Sequence, residues 1–276
     1  MYNLPYTNKQ INIPYLLKIG NGKIYKIGKY LKDKNLPGVA LFLGDGTEEL
    51  VGAELRRGFG DNDINVVHSQ VVSDISIESI TQTAFQLPPA TDVVVGIGGG
   101  KALDFAKYSA HLLRLPFVSV PTSTSNDGFC SPTSSLTVGG RRKTVKSSIP
   151  FGVVIDLDVI RSCPPVFFYS GLGDMVSKIT ALADWKEAAN RKLERYSDFA
   201  SMLAYNSLDL LFIKHSFDIN APEFQRSLTT SLLMSGISME VAGTSRPASG
   251  SEHLVSHALD EVCARPQMHG LQVGTA

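Results

Sequence analysis

Cysteine is scarce in this 276-residue chain: Cys130, Cys163 and Cys263 are the three present, an odd number with no CxxC spacing. That excludes a disulfide framework and a zinc finger, and it fits a reducing compartment. An excess of charge of either sign is missing too, since 26 basic residues balance 26 acidic ones. Zero net charge gives no general pull toward nucleic acid or an anionic membrane, so neither is expected as a partner and small-molecule chemistry becomes the default. The densest basic run, Arg141-Arg142-Lys143, follows two glycines and reads as a hairpin tip. No apolar stretch approaches the ~20 residues that span a bilayer. The start, MYNLPYTNKQINIPYLL, lacks the basic region and apolar run of a signal peptide. A soluble, cytoplasmic protein is expected. Fixed-period repeats and low-complexity tracts are also absent.

What is present is alternation. Short apolar runs at 39–43, 64–67, 92–97, 116–120 and 153–156 read as buried strands, and amphipathic segments at 47–58, 76–85 and 101–113 read as helices between them. Continuous β-branched runs separated by helices indicate a parallel sheet covered on both faces. Residues 134–147 differ: two polar-flanked segments meet at Val138-Gly-Gly-Arg141 and predict a β-hairpin. After Pro164-Pro165 only helical spacing follows, at 173–191, 197–217, 223–242 and 251–262. The expected fold class is α/β, with an N-terminal Rossmann-like parallel-sheet domain over 1–162 and an all-helical C-terminal domain over 163–276.

Gly96-Ile-Gly-Gly-Gly-Lys101 follows a strand and opens a helix. Glycines there let backbone approach a pyrophosphate, and the helix N-terminus supplies N–H groups and partial positive charge. The run does not complete GxGxxG, and a tight strand-to-helix turn is the alternative. A second turn, Gly44-Asp-Gly-Thr47, also ends a strand. Asp45 would either accept hydrogen bonds from an adenosine ribose, favouring NAD over NADP, or form an Asx turn capping the next helix. The loop Pro121-Thr-Ser-Thr-Ser-Asn-Asp-Gly-Phe-Cys-Ser-Pro132 packs hydroxyls, an amide and a carboxylate where a parallel strand ends, which is where such sheets bind ligands.

The helical half carries a candidate divalent-metal set. Gly171-Leu-Gly-Asp174 is expected to place a carboxylate at a helix start; His253 and His257, four apart, share a helix face; His269 precedes Gly270. One Asp and two His leave open coordination positions, as a Lewis acid acting on an alkoxide or carbonyl requires. Zinc suits this donor set best, and ferrous iron uses similar ligands. Two His at this spacing are otherwise an ordinary helix face.

In order, GIGGGKALDFAK, PTSTSNDGFCSP, SGLGDMVSK, SRPASGSEHLVSH and HGLQVG resemble the glycerol-1-phosphate dehydrogenase group, which belongs with dehydroquinate synthase, glycerol dehydrogenase and the iron-containing alcohol dehydrogenases. The resemblance runs from about Asn21 to the last residue. It implies a dehydroquinate synthase-like fold with one divalent metal (zinc, nickel or iron) on Asp174, His253 and His269. It implies NAD or NADP along Gly98, Gly99, Gly100, Thr122 and Ser125, with Asp45, Lys101 and Asp104 in the same cofactor site. Asp127 would contact substrate or nicotinamide. Arg246 and His257 stand at offsets where dehydroquinate synthases hold a phosphoryl group, and a guanidinium with an imidazole suits a dianion. Lys146 is a further candidate for reaching cofactor or substrate. Asp127 and His257 are the expected catalytic pair, and relatives commonly form homo-oligomers.

The implied reaction interconverts dihydroxyacetone phosphate and glycerol 1-phosphate. Its rivals are a dehydrogenase of an unphosphorylated polyol, a dehydroquinate synthase-like cyclase, and a relative that binds nucleotide without turnover. Ser177, where the cyclases have a lysine, counts against the second. Leu271 stands where the family usually has a glutamate, so a contact supporting the third metal ligand is expected to be missing. Family members also continue with further helices, so a truncated chain is expected.

Overall fold

The computed structural model describes residues 11–212, 218–263 and 267–275. The first ten residues, part of the signal-peptide reading, and 213–217, the end of one expected helix, lie outside the described residues.

The first half winds as β1 (Leu16–Gly20), α1 (Ile27–Lys32), β2 (Gly38–Leu43), α2 (Thr47–Gly60), β3 (Asn65–Val71), α3 (Ile77–Gln86), β4 (Val93–Gly98), α4 (Gly100–Leu113) and β5 (Phe117–Pro121). The hairpin β6 (Thr133–Val138) and β7 (Arg141–Lys146) and the last sheet strand β8 (Gly152–Asp156) follow. Then come α5 (Leu157–Ser162), α6 (Pro165–Asn190), α7 (Asp198–Phe212), α8 (Pro222–Ala242), α9 (Ser251–Val262) and α10 (His269–Val273). The fold class is the expected one: a Rossmann-like sheet followed by helices.

Six strands pair in parallel in the order β1-β8-β5-β4-β2-β3, while β6 and β7 form a separate antiparallel pair. β2, β4, β5 and β8 are buried along their whole length, which explains their unbroken apolar sequences. Alternate side chains of these strands feed two cores. One holds Val39, Leu41, Val95 and Ile97 against Ile27, Leu31 and Leu55 of α1 and α2. The other runs from Phe42, Phe105 and Val153 through Phe129 and Leu136 to Trp185, Phe224 and Leu228. The hairpin and the C-terminal helices therefore share apolar core with one face of the sheet.

The chain turns outward from β2 to β3, then crosses back to β4 on the other side. The crevice at the carboxyl ends of β2 and β4 is thus the switch point where such sheets bind ligands. Gly44 and Gly98 meet there, the Gly44 N–H donating to the Ile97 carbonyl at 2.9 Å.

Strands and helices stand close to the expected bounds, with additions at β1, α1, α5 and α10. One expectation is corrected: α6 begins at Pro165, so Asp174 lies within a helix and not at its start.

Candidate active site

At the switch point the glycine turn forms a cradle. Gly98 has φ +143°, and a Cβ there would meet the Gly44 nitrogen at 2.9 Å. Gly99 caps α4 without a side-chain hydrogen bond, and a Cβ on Gly99 or Gly100 would meet nothing within 4 Å. Open space above an uncapped helix N-terminus suits a pyrophosphate. The Thr122 N–H donates to the Gly98 carbonyl at 3.1 Å, binding the polar loop to this turn. Asp45 and Lys101 are exposed at the rim.

The polar loop is held from below by a buried cation. Lys107 Nζ donates to the carbonyls of Gly128 and Thr133, both at 2.7 Å, and lies 3.4 Å from Asp104. Burial raises the Asp104 pKa, against the opposing pull of Lys107. Ser125 is tied down through its carbonyl, which accepts from Ser170 Oγ at 2.9 Å. Asn126 caps a short 3-10 turn over Asp127–Cys130 by accepting from the Gly128 N–H at 2.9 Å.

That turn delivers Asp127 to Asp174. The Asp127 N–H donates to Asp174 Oδ2 at 3.1 Å, and Lys178 Nζ lies 3.0 Å from one carboxylate oxygen of each aspartate. Ser235 Oγ donates to Asp127 Oδ2 at 2.7 Å. Burial pushes Asp127 upward, but Lys178 and the Ser235 hydrogen bond outweigh it and leave the carboxyl below its usual range. Burial and the neighbouring Asp127 hold Asp174 above that range despite Lys178. Burial works against the charge on Lys178, yet the two carboxylates overcome it and raise the ammonium above its ordinary value.

Asp174, His253 and His269 offer ligand atoms that all lie within 4.8 Å of one another. Each imidazole is set by a partner. His253 Nδ1 is 2.7 Å from Glu252 Oε1, so a hydrogen on Nδ1 leaves the Nε2 lone pair free. The Ser256 hydroxyl donates to Gln272 Oε1 at 2.6 Å, so its oxygen accepts from His269 Nδ1 at 3.0 Å. Gln272 is anchored in turn by donating to Asp260 at 3.1 Å. His269 is thereby fixed as the tautomer whose Nε2 can bind a metal. Burial, then the charge of His253, lowers the His269 pKa to about 3, so the ring is neutral near pH 7. A carboxylate and two oriented imidazoles fit a divalent cation such as zinc.

A single cavity of about 270 Å³ connects these parts, reaching from Gly100 and Asp104 past Asp127 to His253, His257 and His269. His257 is exposed, its ring 6.2 Å from that of His269, and burial against the protein followed by the His253 charge lowers its pKa. Asp45, Lys101, Thr122 and Ser125 lie on or beside the glycine turn and polar loop without lining the cavity, and two further expected residues stand away from both. Arg246 pairs with Glu194 at 2.6 Å and does not line the cavity; nor does Lys146, exposed at the end of β7. Lys178, Lys107, Ser235 and the Ser256–Gln272 pair do not stand out in the sequence. Only Lys178 left a signal, its place one helical turn after Asp174.

Residues 18–164 match the family model described as iron-containing alcohol dehydrogenase. A "Glycerol-1-phosphate dehydrogenase [NAD(P)+]" from Metallosphaera sedula is 37% identical over 274 residues, covering 96% of this chain and 76% of that protein. One of the same name from Methanothermobacter thermautotrophicus is 36% identical over 269 residues, with 96% and 77% covered. The chain belongs to the glycerol-1-phosphate dehydrogenase family. This places it within the iron-containing alcohol dehydrogenases, whose fold it shares. Glycerol dehydrogenase from Schizosaccharomyces pombe superposes with a TM-score of 0.81 at 22% identity, over 96% of this chain and 70% of that one. An iron-containing alcohol dehydrogenase from Thermotoga maritima gives 0.73 at 17%, over 96% and 76%. Within this glycerol-1-phosphate dehydrogenase family member, Leu271 is the expected departure, and the neighbouring Gln272 reaches His269 through Ser256.

Proposed function

We propose that the chain is a metal-dependent, NAD(P)-linked oxidoreductase that interconverts dihydroxyacetone phosphate and glycerol 1-phosphate. The observation that carries this reading is the one cavity lined both by Gly100 at the uncapped start of α4 and by His253 and His269 of the Asp174–His253–His269 cluster. It is supported by relatives named glycerol-1-phosphate dehydrogenase at 30–37% identity.

Gly98, Gly99, Gly100 and Thr122 are assigned to the dinucleotide, with Asp45, Lys101, Asp104 and Ser125 around it. Asp174, His253 and His269 are assigned to one divalent cation, zinc by the softness of the donor set. When bound, the dinucleotide supplies the hydride and the cation supplies Lewis-acid polarisation of the substrate carbonyl. The chain's own work is alignment and charge. Asp127 keeps Oδ2 on Lys178 and Ser235, which leaves Oδ1 to accept a hydrogen bond from the substrate hydroxyl. Lys178 sets one buried positive charge between Asp127 and Asp174, beside the place where negative charge develops on the substrate. His257, at the mouth, is assigned to the phosphorylated end and to exchange with solvent.

Among the described residues no helix is long and apolar enough to cross a membrane. A cytoplasmic location, supported by three free cysteines, and a homo-oligomeric state, implied by the family resemblance, are part of the proposal. So is a division near residue 163, after which no strand follows among the described residues.

The test follows NADH absorbance with dihydroxyacetone phosphate and, in parallel, dihydroxyacetone, each with added zinc and with a chelator. Zinc-dependent oxidation with the phosphorylated ketone alone supports the proposal. Equal rates with both would make the protein a general polyol dehydrogenase, and no oxidation by folded protein would overturn the reading.

A further inference from the structure

A phosphorylated substrate needs a fixed cation, and the residue expected to supply it is committed elsewhere. Arg246 Nε donates to Glu194 at 2.6 Å, outside the cavity. Among the described residues lining the cavity there is no lysine and one guanidinium, that of Arg142. Arg142 sits on β7 of the hairpin, which spans the mouth opposite α9. Its Nε donates to Ser135 Oγ on β6 at 2.7 Å, orienting the fork. The two terminal nitrogens have no hydrogen-bond partner among the described residues. Its charge reaches His257 and His269 across the cavity and Asp104 beneath it.

We propose that Arg142, facing His257 across the mouth, is the residue that selects a substrate carrying a phosphate monoester. The assignment rests on the dehydrogenase reading above and deepens it. A planar fork held by one nitrogen presents the other two for bidentate contact with a dianion. The carboxylates nearby do not saturate it. Asp104 lies beside Lys107, and Asp260 accepts from Gln272. Glu261 borders the outer cleft next to Arg142 and does not line the inner cavity. Ser135 and Thr144, paired across the hairpin, add hydroxyls on the same wall. The reacting carbonyl would then lie toward Asp127 and His253 and the phosphate toward the hairpin, so the hairpin tip reads the substrate's tail.

The experiment compares Arg142→Gln, Arg142→Lys and Arg142-adjacent Arg141→Gln with wild type, each on dihydroxyacetone phosphate and on dihydroxyacetone. NADH affinity is read by fluorescence and inorganic phosphate serves as a competitive inhibitor. Arg142 is exposed, so its replacement leaves the core intact. R142Q should lower kcat/KM for the phosphorylated ketone by roughly 100-fold, through KM, with the rate on dihydroxyacetone and the NADH affinity unchanged. Phosphate inhibition should weaken in parallel, R142K should recover part of the loss, and R141Q should match wild type. A wild-type preference for the phosphorylated ketone that R142Q keeps would overturn the assignment alone. A loss confined to NADH affinity would also overturn it, moving Arg142 to the dinucleotide. Equal wild-type rates on both ketones would overturn the phosphorylated-substrate reading and this assignment with it.

Discussion

His269 is the residue whose setting is most fully determined by its neighbours. Its Nε2 is free because Nδ1 meets a hydroxyl whose own hydrogen is already given to Gln272. Replacing Ser256 with Ala leaves Nδ1 without that acceptor and the ring free to change tautomer. Zinc affinity should fall by about 10–100-fold while NADH binding stays as it was, measured by competition with a chromophoric chelator and by fluorescence. An unchanged zinc affinity would remove Ser256 from the account. Little of this was legible in the sequence. Asp174, His253 and His269 stood out because carboxylates and imidazoles carry metal chemistry. Lys178, Lys107 and Ser256 did not, since lysine and serine belong most often to solvated surfaces. Their roles exist only once the polar loop lies against α4 and α6.

At the scale of elements, the metal cluster depends on how closely α10 crosses α6. A Cβ on Gly173 would stand 2.2 Å from the Gly270 carbonyl oxygen, and one on Gly270 would stand 1.9 Å from that of Ser170. Gly171 likewise lies against the Thr124 carbonyl. These glycines explain why the first two turns of α6 were missed: a Pro-Pro pair followed within a few residues by Gly171 and Gly173 reads as a break, yet here the glycines permit backbone contact inside a helix. Asp174 and His269 are brought together by that contact. Gly173→Ala should force α10 outward at a cost of about 1–3 kcal/mol, lowering zinc affinity roughly 10–100-fold and leaving the glycine turn's hold on NADH intact. Titration of zinc and NADH into the variant separates the two. The sheet strands were read well because burial on both faces writes an unbroken apolar run. β1 was missed because Leu17 and Lys18 face outward at the sheet edge and blur that run.

At the scale of the whole molecule, the buried imidazole links stability to pH. The folded protein holds His269 at about 3, below the ~6.5 of an unfolded histidine. Above pH ~6.5 neither state carries the proton. As pH falls below it, the unfolded state takes up a proton that the folded state refuses, so stability is lost between roughly pH 6.5 and 3. Metal-free wild type should therefore lose more Tm between pH 7 and 5 than His269→Gln, as followed by calorimetry. Equal losses would show that the ring is not buried as described. The fold joins a dinucleotide crevice, set by strand order, to a metal cluster, set by helix crossing, through one cavity. The first was legible from alternating strands and helices; the second needed the family resemblance to gather residues nearly a hundred positions apart.

Zinc stoichiometry read against rate tests the metal centre most directly. Chelator-stripped protein, given zinc in steps, should oxidise NADH with dihydroxyacetone phosphate in proportion to bound metal and level off at one zinc per chain. His269→Ala should neither retain the metal nor turn over. Full activity in stripped protein, or a His269→Ala variant that binds zinc and works as wild type does, would contradict the assignment of Asp174, His253 and His269 as the centre of the reaction.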